Sequence, residues 1–223
     1  GFFRGRSNTG IFDPDFQGNY MDNNFTEATP WQYRHYAPHD IRGLSNLLGG
    51  RDSLAKSLDA LFEADTAILG KRLPDVTGRL GQYAHGNEPS HHMAYLYNWT
   101  DSPWKGQERL DYIMREFYTN KPDGIIGNED CGQMSAWYVM SALGFYQVAP
   151  GIPVYTLGRP MVDRALIHVK GGIFEIVVKN NSPENKYIRT VTLNGKELET
   201  PFFSHAEMAK GGKLVFEMTN THP

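Results

Sequence analysis

The amino-acid pattern changes character at about residue 150, and that change constrains the fold more than any other feature of these 223 residues. Before it, apolar residues recur at helical spacing. Beyond Pro150-Gly151-Ile152-Pro153 they fall into short runs rich in Val, Ile, Leu and Phe. In the first part, Pro38-His39-Asp40 leads into Ile41, Leu44, Leu47 and Leu48, one face of a helix that Gly49-Gly50 stops. Asp52 or Ser53 is placed to cap a second helix, with Leu54, Leu58, Leu61 and Phe62 as its buried stripe. Met93 to Tyr97 reads as the apolar part of a third helix and Trp104 to Tyr118 as a fourth. A fifth runs from about Cys131 to Leu143, ended by Gly144. Paired helices with polar, motif-bearing loops between them predict a helical-hairpin array or an α/α toroid.

In the second part, Leu166–Val169, Phe174–Val178, Val191–Leu193 and Lys213–Phe216 read as strands, and Asn194-Gly195 as a hairpin turn. About 70 residues of short strands make a poor independent fold. Their edges need covering, most simply by strands from a missing segment. The predicted class is therefore α+β, with a boundary at 150/151. No internal repeat stands out.

Composition excludes more than it assigns. A net charge of −3 lacks the basic footprint that nucleic acid requires. No run of about 18 apolar residues exists to span a membrane. The single cysteine, Cys131, rules out an internal disulfide and a multi-cysteine zinc site. The sequence opens Gly-Phe-Phe-Arg-Gly-Arg, without an initiator Met or a signal peptide, and looks like a piece of something longer.

Three stretches concentrate chemistry. Residues 1–30 have loop composition, rich in Gly, Asn, Asp and Pro, and end at Glu27-Ala28-Thr29-Pro30-Trp31-Gln32-Tyr33. Glu27 against the Trp31 ring would have a raised carboxyl pKa suited to proton donation. Alternatively it is a helix-start acid complementing a dipole. The second stretch is Tyr83-Ala84-His85-Gly86-Asn87-Glu88-Pro89-Ser90-His91-His92. Its imidazoles could bind zinc, but the two-histidine helix spacing of a zinc hydrolase is missing. Asn87 and Glu88 offer oxygens suited to calcium; a hydrogen-bonded structural loop is the alternative. The third is Gly127-Asn128-Glu129-Asp130-Cys131, two adjacent acids ahead of a helix that begins Gly132-Gln133-Met134-Ser135-Ala136-Trp137. Helix capping would account for one of those acids. Glu27 and Asp130 are candidates for two-carboxylate chemistry, one protonating a leaving oxygen and the other activating water.

Taken together and in this order, the motifs resemble glycoside hydrolase family ninety-two, the calcium-dependent, exo-acting α-mannosidases. The resemblance rests on Glu27 before Trp31-Gln32-Tyr33 and Pro38-His39-Asp40, on His85-Gly86-Asn87-Glu88-Pro89-Ser90-His91, and on Gly127-Asn128-Glu129-Asp130 before Met134-Ser135-Ala136. It implies inverting hydrolysis of terminal α-linked mannose, of α-1,2 linkage, with Glu27 as general acid and Asp130 as general base. It further implies a Ca²⁺ site at Asn87 and Glu88, and sugar contacts from Trp31, Asp40, His85 and Glu129.

The fold it implies is the C-terminal half of an (α/α)6 barrel over 1–150. Antiparallel strands over 151–223 would complete a β-sandwich with the missing N-terminal portion of the same protein. The implied substrate is a mannose-containing glycan met outside the cytoplasm, in the periplasm, at the cell surface or beyond. On that basis the chain alone is expected to be inactive or weakly active. Two departures stand out. Asn128 replaces an acid found in some members, and Ala28-Thr29 replaces a frequent Gly-Asn. A same-fold exo-glycosidase for another sugar and a non-catalytic glycan-binding fragment are the competing expectations.

Overall fold

The computed structural model describes residues 1–21, 24–74 and 76–222. A long N-terminal loop carries β1 (Tyr20–Met21), and three helices follow: α1 (Pro30–Tyr33), α2 (Ile41–Leu48) and α3 (Arg51–Glu63). Next come three two-residue strands, β2 (Leu69–Gly70), β3 (Arg79–Leu80) and β4 (Tyr83–Ala84). Beyond them lie α4 (Pro103–Glu116) and α5 (Gln133–Ala142). Strand β1 pairs in parallel with β2, which ties the N-terminal loop to the segment after α3.

Helix α2 begins at Asp40, whose Oδ1 accepts a 2.8 Å hydrogen bond from Gly43 N, and ends at Gly49 in the left-handed conformation. Neither Asp52 nor Ser53 caps α3. Gly50 holds that position with no side-chain cap, because the turn between α2 and α3 needs positive φ at both Gly49 and Gly50. The run from Met93 to Trp99 is a 3-10 helix rather than an α-helix. Its first five residues, Met93 to Tyr97, are all buried, so no solvent face imposes a 3.6-residue period. Leu54, Leu58, Leu61, Leu96, Leu110, Ile113 and Trp137 join it in one core.

The remaining elements are β5 (Phe145–Tyr146), β6 (Val154–Leu157), β7 (Arg164–Val169), β8 (Gly172–Lys179), β9 (Tyr187–Leu193), β10 (Lys196–Glu197), β11 (Phe202–Ser204), α6 (His205–Met208) and β12 (Gly212–Thr219). Strands β11, β6 and β5 form one small antiparallel sheet, and the larger sheet has the order β10-β9-β12-β8-β7. The expected strands are all present. The expectation of purely antiparallel pairing is corrected: β12 runs parallel to β8, from Gly212 opposite Phe174 to Glu217 opposite Lys179. The reason is topological. β12 enters between the β7–β8 and β9–β10 hairpins, so it is antiparallel to β9 and must be parallel to β8. Alternate residues Phe174, Ile176 and Val178 point into a second core, which Phe145, Leu157 and Phe203 fill from the small sheet.

Helix α4 joins the helical and strand regions. Arg159 is buried and ion-pairs through Nε with Asp111 Oδ1 at 2.9 Å. Its Nη1 donates to Asn181 Oδ1 at 3.1 Å and its Nη2 to the Ser182 carbonyl at 2.9 Å. Gln107 Oε1 accepts from Ile188 N at 2.8 Å. No described helix is long and apolar enough to cross a membrane.

Candidate functional site

Glu27 lies on the turn before α1 with φ of 52°, a backbone region that non-glycine residues seldom enter. Its side chain is exposed while Ala28, Thr29 and Pro30 beyond it are buried. Both flanks are anchored. Tyr33 donates its hydroxyl to the Thr26 carbonyl at 3.1 Å, and Gln32 donates Nε2 to the Gln82 carbonyl. The Tyr33 phenol is held above its ordinary pKa, first by burial and then by the charges of Tyr36 and Glu27. Tyr33 therefore feels the Glu27 carboxylate, a relationship not anticipated from the sequence. The half-buried Trp31 ring takes the edge of Phe2 at 4.8 Å, with the Arg34 guanidinium 5.7 Å from its centre.

The second stretch is a folded scaffold. His85 is fully buried between two tyrosines: Nδ1 lies 2.7 Å from Tyr83 Oη and Nε2 lies 2.6 Å from Tyr118 Oη. Tyr118 donates its own proton to the Met134 carbonyl at 3.2 Å. The network thus assigns the His85 proton to Nε2 and leaves Nδ1 accepting from Tyr83. Trp137 packs edge-on at 4.3 Å. Burial, followed by the charge of His91, holds the His85 pKa well below the ordinary range, so the ring stays neutral.

The other imidazoles are also engaged. His91 donates Nε2 to the His85 carbonyl at 2.9 Å, and its Nδ1 meets Gln133 Nε2 at 3.0 Å. His92 donates Nε2 to the His35 carbonyl at 3.1 Å. From the sequence, these imidazoles are either ligands or parts of a hydrogen-bonded structural loop, and the family resemblance adds a sugar contact for His85 alone. Here they are cross-links between loops, and both His85 nitrogens are hydrogen-bonded to tyrosines.

The third stretch turns sharply through Asp130, Cys131 and Gly132, with successive φ of 52°, 57° and 102°. Asp130 and Cys131 are exposed. Glu129 is half-buried; it accepts from Gly132 N and, at 3.1 Å, from Ser135 N, so its carboxylate engages the start of α5.

These three stretches meet. Asn87, nearly buried, donates Nδ2 to the Glu27 carbonyl at 2.8 Å. Gly127 packs so closely on the second loop that a Cβ there would lie 3.3 Å from Gly86 Cα and 2.5 Å from Thr77 Oγ1. Trp137 donates Nε1 to the His91 carbonyl at 2.9 Å. Asn87 and Glu88 therefore stand between the loops that carry Glu27 and Asp130, with both candidate carboxylates facing solvent. Asp40 is not drawn into this cluster by any of these bonds. It caps α2 and lines a separate cleft of about 380 Å³ with His39, Trp99, Val154 and Phe202. Tyr118, Thr77 and Gln133 frame the site without having been singled out from the sequence, although Gln133 lies inside the third motif.

Among the described residues, no three His, Cys, Asp or Glu side chains cluster as a metal site. The donors that remain suit a hard cation. Asn87 uses its Nδ2 on Glu27, which leaves Oδ1 as an acceptor, and the adjacent Glu88 carboxylate is exposed. A calcium ion takes about six to eight oxygens, with carbonyls, waters and substrate hydroxyls completing the set.

Residues 1–220 match the model of the glycosyl hydrolase family 92 catalytic domain. A family 92 α-mannosidase of Bacteroides thetaiotaomicron, solved in complex with mannoimidazole, superposes with a TM-score of 0.89 and 37% identity over 99% of this chain. A family 92 inverting mannosidase of the same bacterium gives 0.85 and 34% over 99%. An uncharacterized secreted glycosidase of the fungus Arthroderma benhamiae is 29% identical over 84% of this chain. This chain spans only 30%, 31% and 23% of those three proteins respectively.

Proposed function

Since this chain belongs to glycosyl hydrolase family 92, we propose that it carries the acid and base of an exo-acting α-mannosidase, with Glu27 as general acid and Asp130 as general base. The observation that carries this reading is the hydrogen bond from Asn87 to the Glu27 carbonyl, together with the close approach of Gly127 to Gly86. Through those contacts each loop bearing an acid packs against the loop of Gly86 and Asn87.

In the proposed reaction, Glu27 gives its proton to the glycosidic oxygen as the C1–O bond breaks. Asp130 takes a proton from the water that attacks C1 on the opposite face, and the anomeric configuration inverts. Two exposed carboxylates on loops braced by partly buried hydrogen bonds suit this chemistry, because each is fixed at its backbone while its oxygens stay accessible. Asn87 Oδ1 and Glu88 would hold a Ca²⁺ ion, which would bind sugar hydroxyls and offset charge in the transition state. The neutral histidines His85, His91 and His92 keep these loops in register, and Trp31 and Tyr33 present aromatic surface beside Glu27.

On this reading residues 1–150 supply half of an (α/α)6 barrel, and residues 151–223 complete a β-sandwich with chain that lies outside this sequence. Mannose-containing glycans of α-1,2 linkage, met by an exported enzyme, are the proposed substrates. The secreted glycosidase of A. benhamiae supports export.

The test is kinetic and uses the longer protein that contains this chain. Glu27→Gln should lower turnover of an alkyl α-mannoside by about 10²- to 10⁴-fold. A dinitrophenyl α-mannoside, whose leaving group needs no proton, should suffer far less. Asp130→Asn should slow both substrates alike, and proton NMR should show β-mannose as the first product. Full activity in both variants would sink the assignment.

A further inference from the structure

Asp130, Cys131 and Gly132 take positive φ one after another, and the first two carry side chains. The two residues with side chains are disfavoured in this region, so the turn persists only where its surroundings over-determine it. The brace is visible. Glu129 Oε2 accepts from Gly132 N and Glu129 Oε1 accepts from Ser135 N at 3.1 Å. The Ser135 side chain and main chain, with Gly132, keep that carboxylate below the usual pKa range. Main-chain bonds from Gln133 N to the Asp130 carbonyl and from Met134 N to the Glu129 carbonyl, both 3.2 Å, complete the closure. A carboxylate has about four acceptor positions, and both oxygens here accept from main-chain amides at the start of α5.

We infer that Glu129 is a positioning residue: its carboxylate spans the left-handed turn and so aims Asp130, rather than itself holding the sugar. This role rests on the assignment of Asp130 as general base. The assignment explains why a strained turn is kept where a relaxed helix start would be easier to form. It also separates the two adjacent acids by what they touch. Asp130 faces solvent, while Glu129 faces the amides of its own loop.

The test compares wild type, Glu129→Gln, Glu129→Ala and the milder Ser135→Ala in the longer protein, with two independent readouts. Hydrogen exchange should show faster exchange in segment 130–135 of both Glu129 variants, with the strands β8 and β12 unchanged. Hydrolysis of an aryl α-mannoside should show kcat lowered by about ten- to a hundred-fold, with KM within about twofold of wild type. Ser135→Ala should fall between, since Ser135 N remains as a donor. A raised KM with kcat preserved would show that Glu129 binds sugar and would overturn the inference. Unchanged exchange in the segment would overturn it too, whatever the kinetics. A wild-type protein that leaves α-mannosides intact would remove the base assignment and the positioning role with it. The exchange data would then still decide whether Glu129 braces the turn.

Discussion

Asn87 donates its side-chain amide to the main-chain carbonyl of Glu27 across 60 positions of sequence, at 2.8 Å. The bond fixes the one non-glycine residue, among those described in the first loop, whose backbone is left-handed, so the amide matters for its hydrogens as well as for its oxygen. Asn87→Asp keeps an oxygen donor for a cation but sets a carboxylate against a carbonyl. Activity in the longer protein should fall by about 10²-fold or more, without loss of calcium affinity by isothermal titration. Retained activity in Asn87→Asp would show that the hydrogen bond is dispensable.

Chelation should separate hard from soft metal chemistry. EDTA should abolish mannoside hydrolysis, and Ca²⁺ should restore it. Zn²⁺ should not, because His85 and His91 commit both ring nitrogens to partners within the protein. Activity that survives exhaustive chelation would refute the calcium site.

Asp111 neutralises a guanidinium that is almost wholly removed from solvent. The Arg159 side chain is 1% exposed and its partner Asp111 12%. Replacing Asp111 by Ala leaves that cation with neutral partners only, and should destabilise by about 3–5 kcal/mol in urea unfolding. The double variant Asp111→Leu/Arg159→Met, which removes both charges, should recover much of the loss. If the single change costs under about 1 kcal/mol, the pair is not what couples α4 to the sheets.

His35 and His92 should make the fold acid-labile well above the carboxylate range. Burial, the Arg34 charge and the His92 charge push His35 down to about 3, and burial lowers His92 to about 4. Both are neutral when folded but ionise near 6.5 when unfolded. Their stabilisation is therefore complete above about pH 6.5 and lost as pH falls towards 4 and 3. Each contributes a slope of about 1.4 kcal/mol per pH unit in that window. Urea midpoints measured from pH 7 to pH 4.5 should fall steeply, and His35→Asn should flatten the slope. A midpoint independent of pH across that range would contradict the buried neutral state.

Much of this was legible in the sequence because it was local. Alternation marked Phe174, Ile176 and Val178 as an inward face, and Asn194-Gly195 marked the β9–β10 turn. Gly49-Gly50 ended α2 where the spacing said it should. The three chemical stretches were each visible as clusters of residue types. What escaped depended on distance or on dihedral angle. The parallel pairing of β12 with β8 depends on the order in which hairpins assemble, and no single strand encodes that order. The Met93–Trp99 segment lost its helical period because it has no exposed face. The tyrosines around His85 come from residues 83 and 118, the second of which follows α4 and carried no motif. Asp40 is a sugar contact only by the family resemblance, and its role at the start of α2, where Oδ1 accepts from Gly43 N, depends on a helix boundary.

The position of β12 has a consequence for how the protein is made. This strand fills the middle of the larger sheet, between β9 and β8, yet it is translated after both. Until it leaves the ribosome, two separate hairpins wait with an open edge each, offering unpaired amides and carbonyls to any neighbouring chain. The vulnerable interval in biosynthesis is therefore the time taken to synthesise the stretch from β10 to β12. A chaperone that shields β8 and β9 over that interval would raise yield without touching the finished molecule.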